Sequence, residues 1–500
     1  MMQKNILEYL ESTVKSYPDK IAFSNGKDSL CFAELYSHSR SVGSFLLSGG
    51  FYSQPIAIIM DKHPRVMAAF FGVVYSGCFY ACIDEKMPEA RIEAILSKLE
   101  AKVIICDKKN LKLASSFGIE NILVYEDICE FPCDEERLAR VRLKQSSTDP
   151  IYVAFTSGST GTPKGVVACH RSVIDYTESL CDALEFDAST VFGNQTPLYF
   201  DAPLKEIMPT LKLGATTFFI PKMLFSFPVK LIEYLDANKI NTICWVVSAL
   251  VQISSLGALE NHVPKHLRLV AFGSELFPRK QYDLWREALP DATFYNLYGP
   301  TEATGMSCYW RADRELDENE PIPIGRPFDN TDIILIDENG QRADYGEICI
   351  RGTCLTMGYY NDPEKTDAVF VQNPLNTAYP ELVYRTGDIG TVNQNGELVF
   401  VSRKDSQIKH MGHRIELGEI ESAANKCEGV RIACCVYDNE AKRIVLFAVG
   451  DTDAAQISKA LQEYLPRYML PAQIDLLPTL PFTANGKIDR KRLKEIAEQS

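Results

Sequence analysis

Residues 155–165 read Phe-Thr-Ser-Gly-Ser-Thr-Gly-Thr-Pro-Lys-Gly, directly after the strand-length apolar run Ile151-Tyr-Val-Ala154. Glycines let backbone N–H groups approach phosphate oxygens. The hydroxyls of Thr156, Ser157, Ser159 and Thr160 add neutral donors between Gly158 and Gly161, and Lys164 adds a compact positive charge. Such a loop can cradle phosphate. A flexible surface turn would account for the glycines and serines but not for so many hydroxyls round one lysine. The P-loop spacing is absent, because Gly158 is not followed five residues later by Gly-Lys-Ser/Thr. Metal chemistry has little to work with. The chain has 15 cysteines, yet no Cys-x-x-Cys, and the close pairs His262/His266 and His410/His413 have no cysteine pair beside them. Set singly in apolar segments, as at Cys31, Cys106, Cys244, Cys308 and Cys349, the cysteines read as reduced core thiols.

The elements that must hold this loop follow from the apolar pattern. From residue 56 strand-like and helix-like runs alternate (56–60, 65–76, 79–84, 90–99, 102–107), which argues for βαβ units and a mostly parallel sheet covered on both faces. From Thr331 the texture changes to short strands with the turns Asp337-Glu-Asn-Gly340 and Asn393-Gln-Asn-Gly396, the hairpins of a small β subdomain. The tail returns to α/β, with strands expected at 432–437 and 443–449 and helices at 454–465 and 490–498. The fold class is therefore α/β, a large N-terminal body over residues 1–404 and a small C-terminal domain over 405–500. With 500 residues, 46% hydrophobic and 24% charged, the chain is an ordinary globular protein and not a disordered one. Its longest apolar runs fall far short of the roughly 20 residues that span a bilayer, and its first residues lack an apolar signal core, so a cytoplasmic location is expected. The net charge of −14 opposes nucleic acid and anionic membrane as partners. From Ser406 onward 13 basic side chains balance 13 acidic ones, so the whole excess lies upstream.

Further motifs follow the loop in order: Phe200-Asp-Ala202, Asn296-Leu-Tyr-Gly-Pro-Thr-Glu302, Gly346-Glu-Ile-Cys-Ile-Arg-Gly352, Tyr384-Arg-Thr-Gly-Asp388, Arg403-Lys-Asp405, Gly412-His-Arg-Ile-Glu-Leu-Gly-Glu-Ile-Glu421, Leu465-Pro-Arg-Tyr-Met-Leu-Pro471 and Asn485-Gly-Lys-Ile-Asp489. With Phe32-Ala-Glu-Leu35 near the start, they resemble the adenylate-forming superfamily of acyl- and aryl-CoA synthetases and peptide-synthetase adenylation domains. The likeness is strongest to stand-alone amino-acid adenylation domains and D-alanine carrier protein ligases. It implies attack of a carboxylate on the α-phosphate of ATP, with Mg²⁺ as cofactor.

The resemblance also implies roles. Lys487 would be the mobile catalytic lysine, stabilising charge that builds only in the transition state. Glu302 would be the Mg²⁺ ligand; by itself it reads as a helix-cap acid. Thr156, with Ser157, Gly158, Ser159, Thr160, Gly161 and Lys164, would hold phosphate, Thr156 acting in catalysis. Gly273, Gly299 and Thr301 would border the nucleotide, Asn296 would read the adenine amine and Tyr298 stack on the ring. Asp388 would accept both ribose hydroxyls, with Arg403 as a second contact. Asp405 would be the hinge on which the small domain swings. Met411, Cys82 and Ser402 stand where the family usually has Arg, Pro and Gly.

Asp201 stands where amino-acid-activating relatives hold the substrate ammonium. The remaining substrate positions implied are Lys205, Ser248, Val270, Phe272, Leu297, Gly305 and Met306. Lys205 follows Asp201 by four residues, on one helical face. It either pairs with Asp201, meets a substrate carboxylate (a tilt toward Glu or Asp), or snorkels away. No Gly-Gly-x-Ser attachment segment follows, so a free-standing ligase is expected, loading the phosphopantetheine of a carrier protein in trans. Arg490-Lys-Arg492 and Lys494 form either a landing strip for an acidic carrier or a solvated closing helix. Two other readings stay open: an acyl- or aryl-CoA ligase, and a catalytically degenerate nucleotide-binding relative.

Overall fold

Strand Pro55–Ile59 is buried at every position, as a strand covered by helices on both faces must be. The computed structural model describes residues 3–158, 162–318, 320–483 and 488–499. Among them this strand belongs to a six-stranded sheet in the order Asn121–Val124, Val103–Cys106, Pro55–Ile59, Phe79–Cys82, Pro150–Thr156, Lys164–Cys169. A nine-stranded sheet joins Thr293–Tyr298, Leu269–Gly273, Thr242–Val246, Val191–Asn194, Thr216–Phe219 and Ile21–Ser24 in parallel. Its margins are antiparallel, with Cys308–Arg311 and Arg326–Pro327 at one edge and Ser29–Cys31 at the other. Two cores cover it. One gathers Tyr176, Cys244, Ala271, Leu297 and Met306; the other gathers Trp245, Val270, Phe272, Trp285 and Phe294.

The expected hairpins form an antiparallel subdomain of Thr331–Ile336, Tyr345–Gly352, Leu382–Val392, Leu398–Arg403 and Phe370–Gln372. Gly340 and Gly396 take φ of 76° and 73° at their turns, where an L side chain would be strained. By contacts the chain divides into two units: residues 1–85, 99–154 and 165–404 in one, and 86–98, 155–164 and 405–500 in the other. The second unit is thus more than the tail. It contains helix Glu89–Leu99 almost whole and the hydroxyl-rich loop, together with hairpin Gln407–His410/His413–Glu416 and the strands Val430–Asp438, Arg443–Gly450 and Gln473–Leu476. No helix among the described residues is long and apolar enough to cross a membrane.

Candidate active site

Strand Thr293–Tyr298 brings three groups to one end of the first unit. Tyr298, only 4% exposed, donates its hydroxyl to Oδ2 of Asp388 at 2.6 Å. Burial first, then the Asp388 charge, pushes that phenol well above its usual range. Asp388 and Arg403 face each other across the strand pair and form a close ion pair. Asn296 donates its amide NH₂ to the carbonyl of Pro323 at 2.7 Å, which fixes its oxygen as the end able to accept from an amine. Glu302 is wholly buried and accepts from the Tyr359 hydroxyl at 2.7 Å. Gly299 permits a close turn, since a Cβ there would lie 2.5 Å from the Met306 backbone. At Gly273 a Cβ would lie 2.3 Å from the Leu297 carbonyl.

In the second unit the loop's donors are engaged by acids from the hairpin Gln407–Glu416 and the segment after it. Ser157 donates its hydroxyl to the Arg414 carbonyl at 2.7 Å and accepts from the Glu416 N–H at 3.2 Å. The Gly158 N–H donates to Glu419 at 3.1 Å, and Lys164 pairs with Glu416 at 3.6 Å. Glu419 also forms a buried ion pair with Arg91. Carboxylate oxygens therefore occupy donors of the kind a phosphate would use. The Thr156 hydroxyl is buried and has no partner among the described residues, a donor that an anion's oxygen would satisfy. Asp405 opens the C-terminal segment of this unit and caps the N–H of Gln407 at 3.1 Å. Ser159, Thr160, Gly161 and Lys487 lie outside the described residues.

Helix Leu204–Leu213 and the turn before it supply the third group. Burial raises the Asp201 carboxyl above its ordinary value, opposed by the Thr301 hydroxyl and the Lys205 charge. Lys205 is 4% exposed, yet among the described residues no carboxylate comes within ion-pair distance of it. The Asp201–Lys205 salt bridge weighed above does not form. A Cβ on Gly305 would stand 3.9 Å from Oδ2 of Asp201 and 3.8 Å from the Tyr176 hydroxyl. Behind them Glu206 is fully buried, accepts from Asn194 at 3.4 Å and keeps its Oε1 without a partner among the described residues. Burial pushes its carboxyl up to about 7.

Two of the expected substrate positions are corrected. Val270 and Phe272 point into the second core, Phe272 packing edge-on against Phe277 and Tyr282 with ring centroids 4.9 Å and 6.0 Å away. Successive residues of a strand face opposite ways, so Ala271 looks toward Leu297 and Met306 in the first core. Cys244, beside Ala271 in register, has Glu206 and Lys205 as its charged neighbours. Ser248 lies in the first turn of helix Val247–Ser255, where its N–H donates to Glu275 at 2.7 Å. Cys244 and Ala271 are thus the strand positions on the Asp201 side, and a shift of one residue along Leu269–Gly273 would have found Ala271.

The chain matches the family described as AMP-binding enzyme over residues 10–360 and the AMP-binding enzyme C-terminal domain over 419–487. The chain belongs to the AMP-binding enzyme family. Among its relatives is the L-proline–[L-prolyl-carrier protein] ligase of Streptomyces coelicolor, 31% identical over 94% of this chain and 92% of that one. The D-alanine–D-alanyl carrier protein ligase of Staphylococcus haemolyticus is 29% identical over 98% and 99%. A stretch similar to 98% of this chain makes up 45% of tyrocidine synthase 1 of Brevibacillus parabrevis, at 29% identity. In fold, the Vibrio cholerae adenylation domain AlmE, solved with glycyl-adenosine-5′-phosphate, superposes with a TM-score of 0.86 at 21% identity over 100% and 99% of the chains. This AMP-binding enzyme is an adenylate-forming ligase, and its residues fit ATP. Within the second unit the Thr156 hydroxyl offers a donor to an anion's oxygen, and within the first the fixed Asn296 oxygen offers an acceptor to an amine. No cluster of three metal-binding side chains exists among the described residues, so Mg²⁺ would rest on Glu302 and on oxygens of the phosphates and water.

Of the basic cluster, Arg490 pairs with Glu421, Arg492 with Glu495 and Lys494 with Glu498. Most of its charge is met internally, as a solvated closing helix would have it. Met411, 60% exposed, caps the hairpin tip with Gly412, both at positive φ.

Proposed function

We propose that this ligase activates an amino acid as its aminoacyl adenylate and then passes the acyl group to the phosphopantetheine thiol of a carrier protein in trans. The observation that supports it most is Asp201. An enclosed carboxylate with no ion-pair partner is costly to bury, and a substrate ammonium would offset that cost. Fatty and aryl acids have none to offer. The printed names of the proline and alanine carrier ligases among its relatives support the same reading.

In the first step a carboxylate oxygen of the amino acid attacks the α-phosphorus, and pyrophosphate leaves with the electrons of the broken P–O bond. Asn296, Tyr298, Asp388 and Arg403 hold the adenosine, the 156–164 loop holds phosphate, and Lys487 neutralises charge that develops between carboxylate and phosphorus. Glu302 would hold Mg²⁺, which when bound would neutralise further phosphate charge. In the second step a thiolate attacks the acyl carbon and AMP leaves, after the small domain turns about Asp405. Lys205 answers a side-chain carboxylate, so the amino acid is acidic.

ATP–pyrophosphate exchange over a panel of L- and D-amino acids, fatty acids and aryl acids tests the reading. Exchange is expected with acidic amino acids, and Lys487→Ala should abolish it while ATP binding falls little. Exchange confined to acids lacking an amine would overturn it in favour of a CoA ligase, and tight ATP binding without exchange for any acid in favour of a degenerate relative.

A further inference from the structure

Segment 354–360, just past the motif that ends at Gly352, grips Glu302 at both its main chain and its carboxylate. The Glu302 carbonyl accepts from the Thr356 N–H at 3.0 Å and from the Thr356 hydroxyl at 2.9 Å. The Tyr359 hydroxyl donates to Oε1 of the carboxylate at 2.7 Å. Thr304 stands at a φ of 55°, a costly value for a residue with a side chain, and its hydroxyl donates to the Cys354 carbonyl at 2.7 Å. The gripping segment is itself anchored. Met357 donates its N–H to the Val167 carbonyl at 2.8 Å, Tyr360 to that of Gly165 at 2.7 Å, and Val167 in return to that of Gly358 at 3.0 Å. Tyr359 donates its own N–H to the Thr366 hydroxyl at 2.9 Å, and its ring packs edge-on against Phe370 with centroids 6.4 Å apart. Packing and main-chain bonds therefore fix where the phenol stands, independently of the bond it makes to Glu302.

We infer that Tyr359 is a positioning residue whose hydroxyl sets the direction in which the Glu302 carboxylate meets Mg²⁺. The inference rests on the reading of Glu302 given above and adds the group that orients it. The last torsion of a glutamate is broad, so burial alone does not choose the angle of its oxygens. A donor on an immobile ring does. Mg²⁺ demands near-ideal octahedral geometry, whereas a larger cation such as Ca²⁺ accepts a looser set of oxygens. A carboxylate left to swivel thus loses more toward Mg²⁺ than toward Ca²⁺. A phenol also brings no charge, so it directs the carboxylate without cancelling the field that draws the cation, as a lysine in its place would.

Tyr359→Phe removes one oxygen and keeps the ring against Phe370. Calorimetric titration of ATP into the protein, in EDTA and over a series of Mg²⁺ concentrations, reads the effect without amino acid and so without turnover. The Mg²⁺ concentration that half-restores tight ATP binding should rise about ten- to a hundredfold, the range for a group that orients a metal ligand, while ATP binding in EDTA stays within about threefold. The same series with Ca²⁺ should shift less. An unchanged Mg²⁺ dependence, or an equal loss with and without the cation, overturns the inference. Fluorotyrosine placed at position 359 alone keeps the hydroxyl and decides the matter even if the phenylalanine variant does not fold. Its fluorine resonance should move when Mg²⁺ is added to the ATP-saturated protein, and a resonance that stays put overturns the inference equally. Glu302→Gln separates the two layers. If it keeps the native Mg²⁺ dependence, Glu302 does not hold the cation and the inference fails with that premise; if it loses the dependence while Tyr359→Phe retains it, only the role of Tyr359 falls. Absence of pyrophosphate exchange with every amino acid would sink the proposed function instead, and the binding series would still decide for or against Tyr359.

Discussion

Replacing Gly305 by Ala tests the ammonium site with a single methyl. Gly305 has a φ of 93°, where an L residue costs roughly 1–2 kcal/mol of stability. The methyl itself meets the protein only at ordinary contact, 3.7 Å from the Tyr176 ring and 3.9 Å from Asp201 Oδ2, so no side chain must move. An ammonium bonded to that oxygen would need to sit about 3 Å from it, in the volume the methyl now takes, and carbon and nitrogen do not approach closer than about 3.5 Å. The charge-assisted bond would be lost or badly stretched, which is worth about 1.5–3 kcal/mol, or about ten- to a hundredfold in the amino-acid KM. Pyrophosphate exchange at saturating ATP measures that KM, a second titration gives the ATP KM, and a thermal melt reports the backbone cost. The expected outcome is a lower melting temperature, a raised amino-acid KM and an unchanged ATP KM. A lowered melting temperature with an unaltered amino-acid KM would refute the reasoning, because Gly305 would then serve the backbone alone and Asp201 would not hold the substrate amine.

Two other outcomes follow from buried acids. Asp388→Asn keeps the shape that accepts from Tyr298 but removes the charge facing Arg403; the ATP KM should rise about tenfold or more with the amino-acid KM unchanged, measured by exchange at varied ATP. Glu206 has its carboxyl raised from 4.5 to about 7, so the proton is held more tightly folded than unfolded. The stability this gives is complete below pH 4.5 and is lost as pH rises through 7, a change of about 3 kcal/mol at most. Glu206→Gln, which cannot ionise, should gain stability over the native chain between pH 5 and pH 8 in denaturant melts; parallel pH curves for the two would contradict this.

What could be read in the sequence was what lies in short contiguous runs. The loop at 155–165, the turns at Gly340 and Gly396 and the strand-helix alternation from residue 56 are local, and each chemistry-bearing residue stands beside its own punctuation. The choice between Val270/Phe272 and Ala271 was not local. Strand Leu269–Gly273 has a core on each face, so both alternating sets are apolar and the period of two has no sign. Of the basic cluster, whose two readings stayed open in the sequence, Arg492 and Lys494 pair within their own helix, whereas the partner of Arg490, Glu421, comes from another helix, Leu417–Ala424, beyond any local window. The joining of residues 86–98 and 155–164 to the tail is likewise a matter of distant contacts that no window of sequence contains.

The distribution of thiols gives an unplanned advantage to anyone who wishes to watch this enzyme work. Twelve of the 15 cysteines are buried, Cys31 and Cys82 are half covered, and Cys133 alone is exposed. Burial pushes thiols such as Cys244 and Cys435 far from ionisation, and it is the thiolate that reacts. A maleimide dye offered to the native protein thus finds a single open address, just ahead of helix Glu135–Lys144. One fluorophore could be fixed there without first stripping the other cysteines from the chain.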